Sequence, residues 1–205
     1  GKSEDNTLNI IKNNVERFKG RMKYISESDE GIYDAINKGI KMSNGHLIGI
    51  INSDDWYEKN AVEIAVESYS INELQVIYGI LRVFSDEREY RIYMNRHEFL
   101  SKHMITHPTC FISKSLYDKY GLYSMNYKSA SDYEFMLRIL EKEDVVFKPN
   151  YVVMSNFSLG GVSQTSIGYE ETISIQYLYN IVSYWKYVRV FCFLKFKKIV
   201  KSIFL

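Results

Sequence analysis

Gly49-Ile50-Ile51-Asn52-Ser53-Asp54-Asp55-Trp56-Tyr57 is the stretch around which the rest of the chain is organised. Together with Leu47 and Ile48, its isoleucines form a short apolar run, which predicts a strand buried on both faces. The run stops at Asn52, so the adjacent carboxylates of Asp54 and Asp55 follow the C-terminal end of the strand. In open α/β sheets, ligands bind at that edge.

Two adjacent carboxylates repel each other unless a cation lies between them or each finds its own partner. A divalent ion that keeps several waters and bridges to a substrate phosphate suits such a pair. The alternative is a polar loop in which Asp54 or Asp55 caps the following helix. The pair alone leaves both interpretations open.

The bulk composition is typical of one ordinary globular domain, or of a domain with a tail. The chain has 205 residues, 46% of them hydrophobic, and a net charge of +1, which predicts no attraction to nucleic acid as a whole. Its two cysteines, Cys110 and Cys192, lack metal-type spacing, which argues against a zinc site or a disulfide scaffold. No signal sequence is visible at the start, and the cysteine usage predicts a cytoplasmic location.

The first third of the chain alternates helix and strand patterns. We predict a helix over residues 8–18, a strand over 22–26, an apolar strand over 47–51, and two further helices between and after these strands. The inward positions predicted for the three helices are, in order, Leu8, Ile11, Val15 and Phe18; Ile32, Ala35, Ile36 and Ile40; and Val62, Ala65, Val66 and Tyr69. Such alternation predicts a parallel sheet with crossover helices.

The pattern changes after residue 74. Residues 75–84 and 90–94 predict an antiparallel pair, and residues 107–112 predict another strand. A short helix should end at Gly121, and a longer one should span residues 131–141 with Met136, Ile139 and Leu140 buried. Residues 145–147 and 151–154 predict short strands, and Gly160-Gly161 predicts a flexible joint.

Several segments, in this order along the chain, resemble family 2 glycosyltransferases. They are Ser26-Glu27-Ser28-Asp29-Glu30-Gly31-Ile32-Tyr33-Asp34-Ala35-Ile36-Asn37-Lys38-Gly39-Ile40, Asn52-Ser53-Asp54-Asp55-Trp56-Tyr57, Tyr78-Gly79, His107-Pro108-Thr109 with Phe111, Ala130-Ser131-Asp132-Tyr133-Glu134 and Gly160-Gly161-Val162-Ser163. The resemblance implies a GT-A-like α/β fold, with a mostly parallel sheet and flanking helices. It also implies a nucleotide-sugar donor, expected to be UDP-linked, and inversion at the anomeric carbon.

The resemblance assigns roles to individual residues. It implies that Asp55 and Asp54 hold Mg²⁺ or Mn²⁺, with Asp54 also contacting the ribose. Metal at that point would stabilise the charge that builds up on the departing diphosphate. The other residues implied to bind the nucleotide sugar are Asp29, Asn37, Ser53 and Trp56.

Two further residues are implied to serve the reaction itself. Asp132 is the expected general base, which deprotonates the acceptor hydroxyl; on helix position alone, a capping acid is the alternative. His107 precedes Pro108, which predicts an extended chain that holds the imidazole beside the acceptor site. His46, His97 and His103 show no ligand spacing, so a structural or exposed role is expected for them.

The family's pattern also indicates what precedes and follows this domain. Relative to it, the chain lacks the first strand-helix-strand, so residues 1–163 are interpreted as a catalytic domain without that segment. Residues 164–205 are predicted to form a basic, aromatic-rich amphipathic helix that binds an anionic membrane surface, peripherally on the inner face of the cell membrane. The alternative is a helix packed on the domain, which would make residues 171–205 necessary for folding.

The leading functional interpretation is an inverting, metal-dependent glycosyltransferase that acts on a polysaccharide or lipid-linked acceptor. One alternative is an inactive, truncated domain of the same type that acts only in binding. The other is a nucleotidyltransferase of related fold, which also combines a nucleotide-binding sheet with acidic metal ligands. Asp132 and the His107-Pro108 segment favour glycosyl transfer.

Overall fold

The computed structural model describes residues 1–85, 87–159 and 166–203. The predicted Gly160-Gly161 joint and the Val162-Ser163 pair after it lie outside these residues. The chain forms two compact units, one of Gly1–Asn44 and a larger one that begins at Gly45.

The first unit is helical. It contains α1 (Thr7–Val15), a 3₁₀ turn (Glu16–Phe18) and α2 (Ile32–Met42). The strand predicted over residues 22–26 is wrong, because no strand in the described part of the chain pairs with it. The predicted α2 face is also shifted: Tyr33, Asn37 and Ile40 are buried, whereas Ile32, the first residue of the helix, is exposed.

The larger unit is built on one mixed sheet. Its strands are β1 (Leu47–Gly49), β2 (Trp56–Tyr57), β3 (Leu74–Ser85), β4 (Arg88–Tyr93), β5 (Phe111–Ser113) and β6 (Val145–Ser158). The strand order is β1-β5-β3-β6-β2, and β4 pairs with β3. The α/β fold with flanking helices is confirmed, as is the antiparallel β3–β4 pair.

The helix–strand alternation had predicted a mostly parallel sheet, but the observed sheet is mixed. Among the described residues only β3 and β6 pair in parallel, and the other ladders are antiparallel. The reason is that β5 lies between β1 and β3 and runs opposite to both. β1 and β3 therefore share a direction without being neighbours.

The strand that precedes the acidic pair is shorter and more exposed than predicted. β1 lies at one end of the described strand order, and only Ile48 of its three residues is buried. Ile51 is exposed, because the chain has already left the sheet after Gly49. The prediction of a strand buried on both faces is therefore wrong.

Helices cover the sheet of the larger unit. α3 (Ala61–Ser68) packs with Ala61 and Ala65 against a core that contains Ile77, Phe111 and Met154. Val62 and Val66 were predicted to be inward but are exposed. The helix face that carries the small alanines packs against the sheet instead, because small side chains let the helix lie closer to it.

The next elements agree better with the sequence-based expectations. α4 (Lys114–Tyr120) ends at Gly121, whose φ of 85° favours glycine, and α5 (Ser131–Leu140) buries Met136 and Ile139 completely. The two short strands predicted over residues 145–154 are parts of the single long strand β6.

The C-terminal segment contains two helices rather than one. α6 (Ser166–Leu178) and α7 (Tyr184–Ile203) contact each other, for example through rings of Tyr177 and Tyr187 stacked 4.8 Å apart. Ile173 and Ile175 of α6 are buried, so removing residues 171–205 would expose packed side chains. The domain boundary after residue 163 stays a prediction. Within the described residues, no helix combines the length and the apolar character needed to span a bilayer.

Candidate active site

The acidic stretch forms a tight turn that the end of β6 holds in place. The backbone N–H of Asp55 donates to the carbonyl of Asn52 (3.2 Å), and the Asn52 side-chain amide donates to Oδ2 of Asp55 (3.1 Å). The N–H of Ser158 donates to Oδ1 of Asp55 (3.1 Å), and the Ser158 hydroxyl donates to the carbonyl of Asp54 (2.8 Å). Because β2 pairs with β6 directly after the turn, Asp55 is brought to the last residues of β6.

The two carboxylates of this turn have different environments. Asp55 is only 9% exposed, whereas Asp54 and Ser53 are exposed. Burial raises the pKa of Asp55, and its hydrogen bonds to Ser158 and Asn52 act in the opposite direction. Asp55 is therefore not a solvent-facing carboxylate at a strand end: it is buried, and both of its oxygens accept hydrogen bonds.

The turn offers a divalent ion two carboxylates and not a complete set of protein ligands. In the described ranges, no group of three or more His, Cys, Asp or Glu side chains could hold a metal. Two adjacent carboxylates supply hard oxygen ligands, and Mg²⁺ commonly takes one or two carboxylates and completes its shell with water and substrate phosphate. The residues present fit that mode of binding.

A cavity of about 520 Å³ lies beside the turn. Asn52 lines it, and so do Asp132 and His107, the two predicted catalytic residues. Asp132 is the second residue of α5, and its side chain is partly buried. The structure thus brings the predicted base, the predicted histidine and one end of the acidic turn to a single cavity.

His107 reaches the cavity from a 3₁₀ turn (His107–Thr109), not from the predicted extended strand. Thr109 connects this turn to β3, because its hydroxyl oxygen accepts a hydrogen bond from the backbone N–H of Gly79 in that strand (3.0 Å). The hydroxyl of Thr106 donates to the Gly79 carbonyl (2.7 Å). Only glycine fits at 79: a Cβ there would lie 2.6 Å from Sδ of Met154. Two motifs separated in sequence therefore hold each other in place.

The His107 imidazole is hydrogen-bonded to one of two linked tyrosine hydroxyls. Its Nε2 lies 3.0 Å from the Tyr123 hydroxyl, which lies 3.0 Å from the hydroxyl of Tyr117. Burial lowers the pKa of His107, and the negative charge of Asp132 acts in the opposite direction. The lowered pKa favours a neutral ring near pH 7, which can take part in hydrogen bonds but carries no charge.

Several residues of the cavity wall were not anticipated from the sequence. β4 and the segment after it contribute basic and aromatic side chains to the wall, and α6 contributes polar ones. From β4 come Tyr90, Arg91 and Tyr93, from the following segment Lys102 and His103, and from α6 Thr172 and Gln176. His103 had been expected to play no part in the site. No sequence signal identified these residues, because they come from a hairpin, a loop and a helix that only the fold brings together.

The remaining predicted residues belong to the acidic turn, to β2 and to the first unit. Trp56 is half-exposed in β2, where its ring lies 5.1 Å from that of Phe84, and it does not line the cavity. Asp29 and Asn37 belong to the first unit. There the Lys38 ammonium lies 2.8 Å from a carboxylate oxygen of Asp29, which holds the pKa of that carboxyl below its usual range. Their assignment to the nucleotide sugar stays a prediction.

Comparison with solved structures supports the fold. The crystal structure of TarS from S. aureus superposes with a TM-score of 0.60 at 14% identity, covering 84% of this chain and 32% of that one. TarS 1–349 in complex with UDP-GlcNAc gives a TM-score of 0.60 at 13% identity, covering 92% of this chain and 59% of that one. This chain therefore spans between a third and three fifths of these solved chains.

Comparison with known sequences identifies the family. A PGL/p-HBAD biosynthesis glycosyltransferase of Mycobacterium bovis is 25% identical over 173 residues, which are 83% of this chain and 68% of that protein. An uncharacterized glycosyltransferase of Mycobacterium tuberculosis is 34% identical over 120 residues, which are 55% and 45% of the two chains. The family model of Glycosyl transferase family 2 matches residues 1–135. This chain therefore belongs to glycosyl transferase family 2.

Proposed function

We propose that this chain is the catalytic part of an inverting glycosyltransferase that uses a nucleotide-sugar donor. The observation that carries the proposal is the cavity of about 520 Å³ lined by both Asp132 and Asn52. It brings a carboxylate suited to proton removal beside the turn that carries Asp54 and Asp55. Family membership removes the nucleotidyltransferase alternative.

The proposed reaction is a single displacement at the anomeric carbon. Asp132 takes the proton of an acceptor hydroxyl, and the hydroxyl oxygen forms a bond to the anomeric carbon. The bond from that carbon to the diphosphate oxygen breaks, and its electron pair leaves with the nucleoside diphosphate. Attack opposite to the leaving group inverts the configuration. The neutral ring of His107, which is hydrogen-bonded to the Tyr123 hydroxyl, orients the acceptor in the cavity.

The acidic turn is proposed to hold Mg²⁺ or Mn²⁺. Asp54 offers the exposed carboxylate, while Asp55, fixed by Ser158 and Asn52, sets the conformation of the turn and offers its remaining lone pairs. When bound, the ion stabilises the negative charge of the departing diphosphate. Ser53 and Trp56, together with Asp29 and Asn37 of the first unit, remain the residues proposed for the nucleotide sugar.

The donor is proposed to be UDP-linked, and the acceptor a polysaccharide or a lipid-linked saccharide. Support for the donor comes from TarS, which was solved with UDP-GlcNAc. Support for the acceptor comes from the names of relatives, such as the Escherichia coli chondroitin synthase that is 26% identical over 147 residues. Those residues are 21% of that synthase.

The test is a screen for nucleoside-diphosphate release. The purified chain is incubated with UDP-, GDP- and dTDP-sugars, with Mn²⁺ or with EDTA, and with saccharide acceptors. Release that needs both a UDP-sugar and the metal supports the proposal. Metal-independent release would refute the metal assignment. Absence of release with every donor, from a folded chain, would favour the alternative of an inactive binding domain.

We also propose that α7 rests on an anionic membrane surface. Its inner face packs on α6, where Tyr187 stacks on Tyr177. Its outer face exposes Trp185 (78%) and Phe196 (64%), together with Phe193 and Cys192. At the helical repeat of 100° per residue, these four side chains share one side of the helix.

The charges of α7 complement such a surface. The helix contains no acidic residue, and its described basic side chains are all exposed: Lys186, Arg189, Lys195 and Lys197. Each lysine or arginine near an anionic bilayer contributes about 1 kcal/mol of attraction, and exposed aromatic rings enter the interfacial region. A peripheral position next to a lipid-linked acceptor would follow from this contact.

A further inference from the structure

One carboxylate from α6 binds three successive backbone N–H groups directly before α5. Oε1 of Glu171 accepts the N–H of Lys128 (2.8 Å), and Oε2 accepts those of Ser129 (2.8 Å) and Ala130 (3.0 Å). Converging backbone N–H groups form a concave site for an anion, and here the anion is a side chain of the same protein. The contact joins segments about forty residues apart in sequence.

The segment that Glu171 holds leads directly to Asp132. Ala130 is the residue before α5, and its side chain cannot cap the helix. Ser129 and Ala130 line the cavity with Asp132. Glu171, a residue of another helix, therefore holds the segment that leads into α5, where no local side chain caps the helix. Because Asp132 is the second residue of the helix, any shift of this segment would move its carboxylate.

The contact is part of a longer seam between α6 and the first turn of α5. The Gln176 amide donates to the Tyr133 hydroxyl (3.3 Å), and the hydroxyl of Tyr179, the residue directly after α6, donates to Oε1 of Glu134 (2.7 Å). Thr172 and Gln176 of the same helix line the cavity. α6 thus contacts residues before and after Asp132, and it also forms part of the wall of the cavity that Asp132 lines.

We propose that Glu171 is a positioning residue for Asp132. This inference rests on the proposed function, since it assumes that Asp132 is the base. Glu171 does not line the cavity, so its effect is on the orientation of Asp132 and not on binding. Losing it should lower kcat and leave the KM for the donor unchanged.

The experiment compares three variants of the full chain. Glu171→Ala removes all three hydrogen bonds, and we expect kcat to fall roughly 100-fold, the scale of a displacement of about 1 Å. Glu171→Gln keeps one acceptor oxygen but turns an amide N–H₂ toward a backbone donor, so we expect an intermediate loss. Glu170→Gln is the matched control: it also removes one negative charge from α6, but its partner is Lys195 on α7 (2.7 Å), and kcat should stay within twofold.

A second measurement separates this inference from the proposed function. Amide hydrogen exchange of residues 128–132 should become faster in Glu171→Ala and stay unchanged in Glu170→Gln. Faster exchange together with a lower kcat and an unchanged KM supports the inference. A folded Glu171→Ala with the kcat of the parent would overturn it. If the parent itself releases no nucleoside diphosphate, the proposed function fails, and the exchange data alone decide: unchanged exchange at 128–132 refutes the positioning role.

Discussion

The backbone N–H of Ser158 donates a 3.1 Å hydrogen bond to Oδ1 of Asp55. The last residue of β6 thereby fixes a carboxylate more than a hundred residues earlier in the chain. Asp55 is for this reason a structural residue as well as a proposed metal ligand. Its neighbour Asp54 contacts Ser158 only through its main-chain carbonyl, so its side chain makes no such contribution.

This difference predicts unequal effects of two neighbouring substitutions on the free energy of unfolding. Asp55→Ala leaves the Ser158 N–H without its acceptor, so we expect a loss of roughly 1–3 kcal/mol in the free energy of unfolding. Asp54→Ala should change stability by less than about 0.5 kcal/mol, as is usual for an exposed position. Both variants should lose Mn²⁺-dependent binding of UDP. Urea denaturation and calorimetric titration measure the two effects; an unfolding free energy equal to the parent's for Asp55→Ala would contradict the structural role.

Asp132→Asn should lower turnover by roughly two to four orders of magnitude, because an amide cannot accept the proton of the acceptor. Donor binding should remain near that of the parent, since the shape of the side chain is preserved. Asp118→Asn, at an exposed position of α4, is the matched control and should keep full activity. Turnover within a few-fold of the parent would remove Asp132 from the role of base.

His107 should make the stability of the protein depend on pH. Burial lowers its pKa in the folded state below the usual 6.5, so the unfolded chain binds the proton more tightly. The free energy of unfolding should therefore decrease as the pH falls below about 6.5 and stop decreasing, for this residue, at its folded-state pKa.

The contribution of this residue is obtained by difference. Unfolding free energies between pH 5 and 8 are compared for the parent, for His107→Gln and for His46→Gln, an exposed histidine. His107→Gln should show the weaker dependence on pH, and His46→Gln should follow the parent. Parallel curves for the parent and His107→Gln would show that the ring does not titrate as proposed.

The outer face of α7 should be required for membrane binding. Trp185→Ser combined with Phe196→Ser should reduce sedimentation with phosphatidylglycerol vesicles by at least about tenfold, because two interfacial aromatic rings are lost. Tyr151→Ser on β6 removes a ring of similar exposure (65%) and should have no effect. Binding of the parent should weaken with added salt and be absent with phosphatidylcholine. If the parent protein binds neither kind of vesicle, the proposed membrane contact is refuted.

The sequence predicted best those features that depend on local signals. The β3–β4 pair comes from two β-rich runs close in sequence, α4 ends at a glycine, and α5 has regularly spaced apolar residues; all three are confirmed. The acidic pair was recognised at the end of an apolar run, and the resemblance in the order of motifs then assigned roles to Asp54, Asp55 and Asp132. That the two share a cavity follows from the fold.

The predictions that failed depended on partners that a sequence does not show. The isoleucines after β1 are partly exposed because the chain leaves the sheet early, and the stripe of α3 is displaced because Ala61 and Ala65 pack closest to the sheet. A segment such as residues 22–26 forms a strand only when another strand pairs with it. Glu171 carried no signal at all, since its role exists only where α6 meets the start of α5.

The seam between α6 and α5 also limits how this enzyme can be recombined with its relatives. The family match ends at residue 135, whereas α6 begins at residue 166 and supplies both Glu171 and part of the cavity wall. A chimera that takes only the matched segment from another member would place a foreign loop opposite the native Glu171. We expect domain exchange to succeed only when α6 is transplanted together with the loop that it holds.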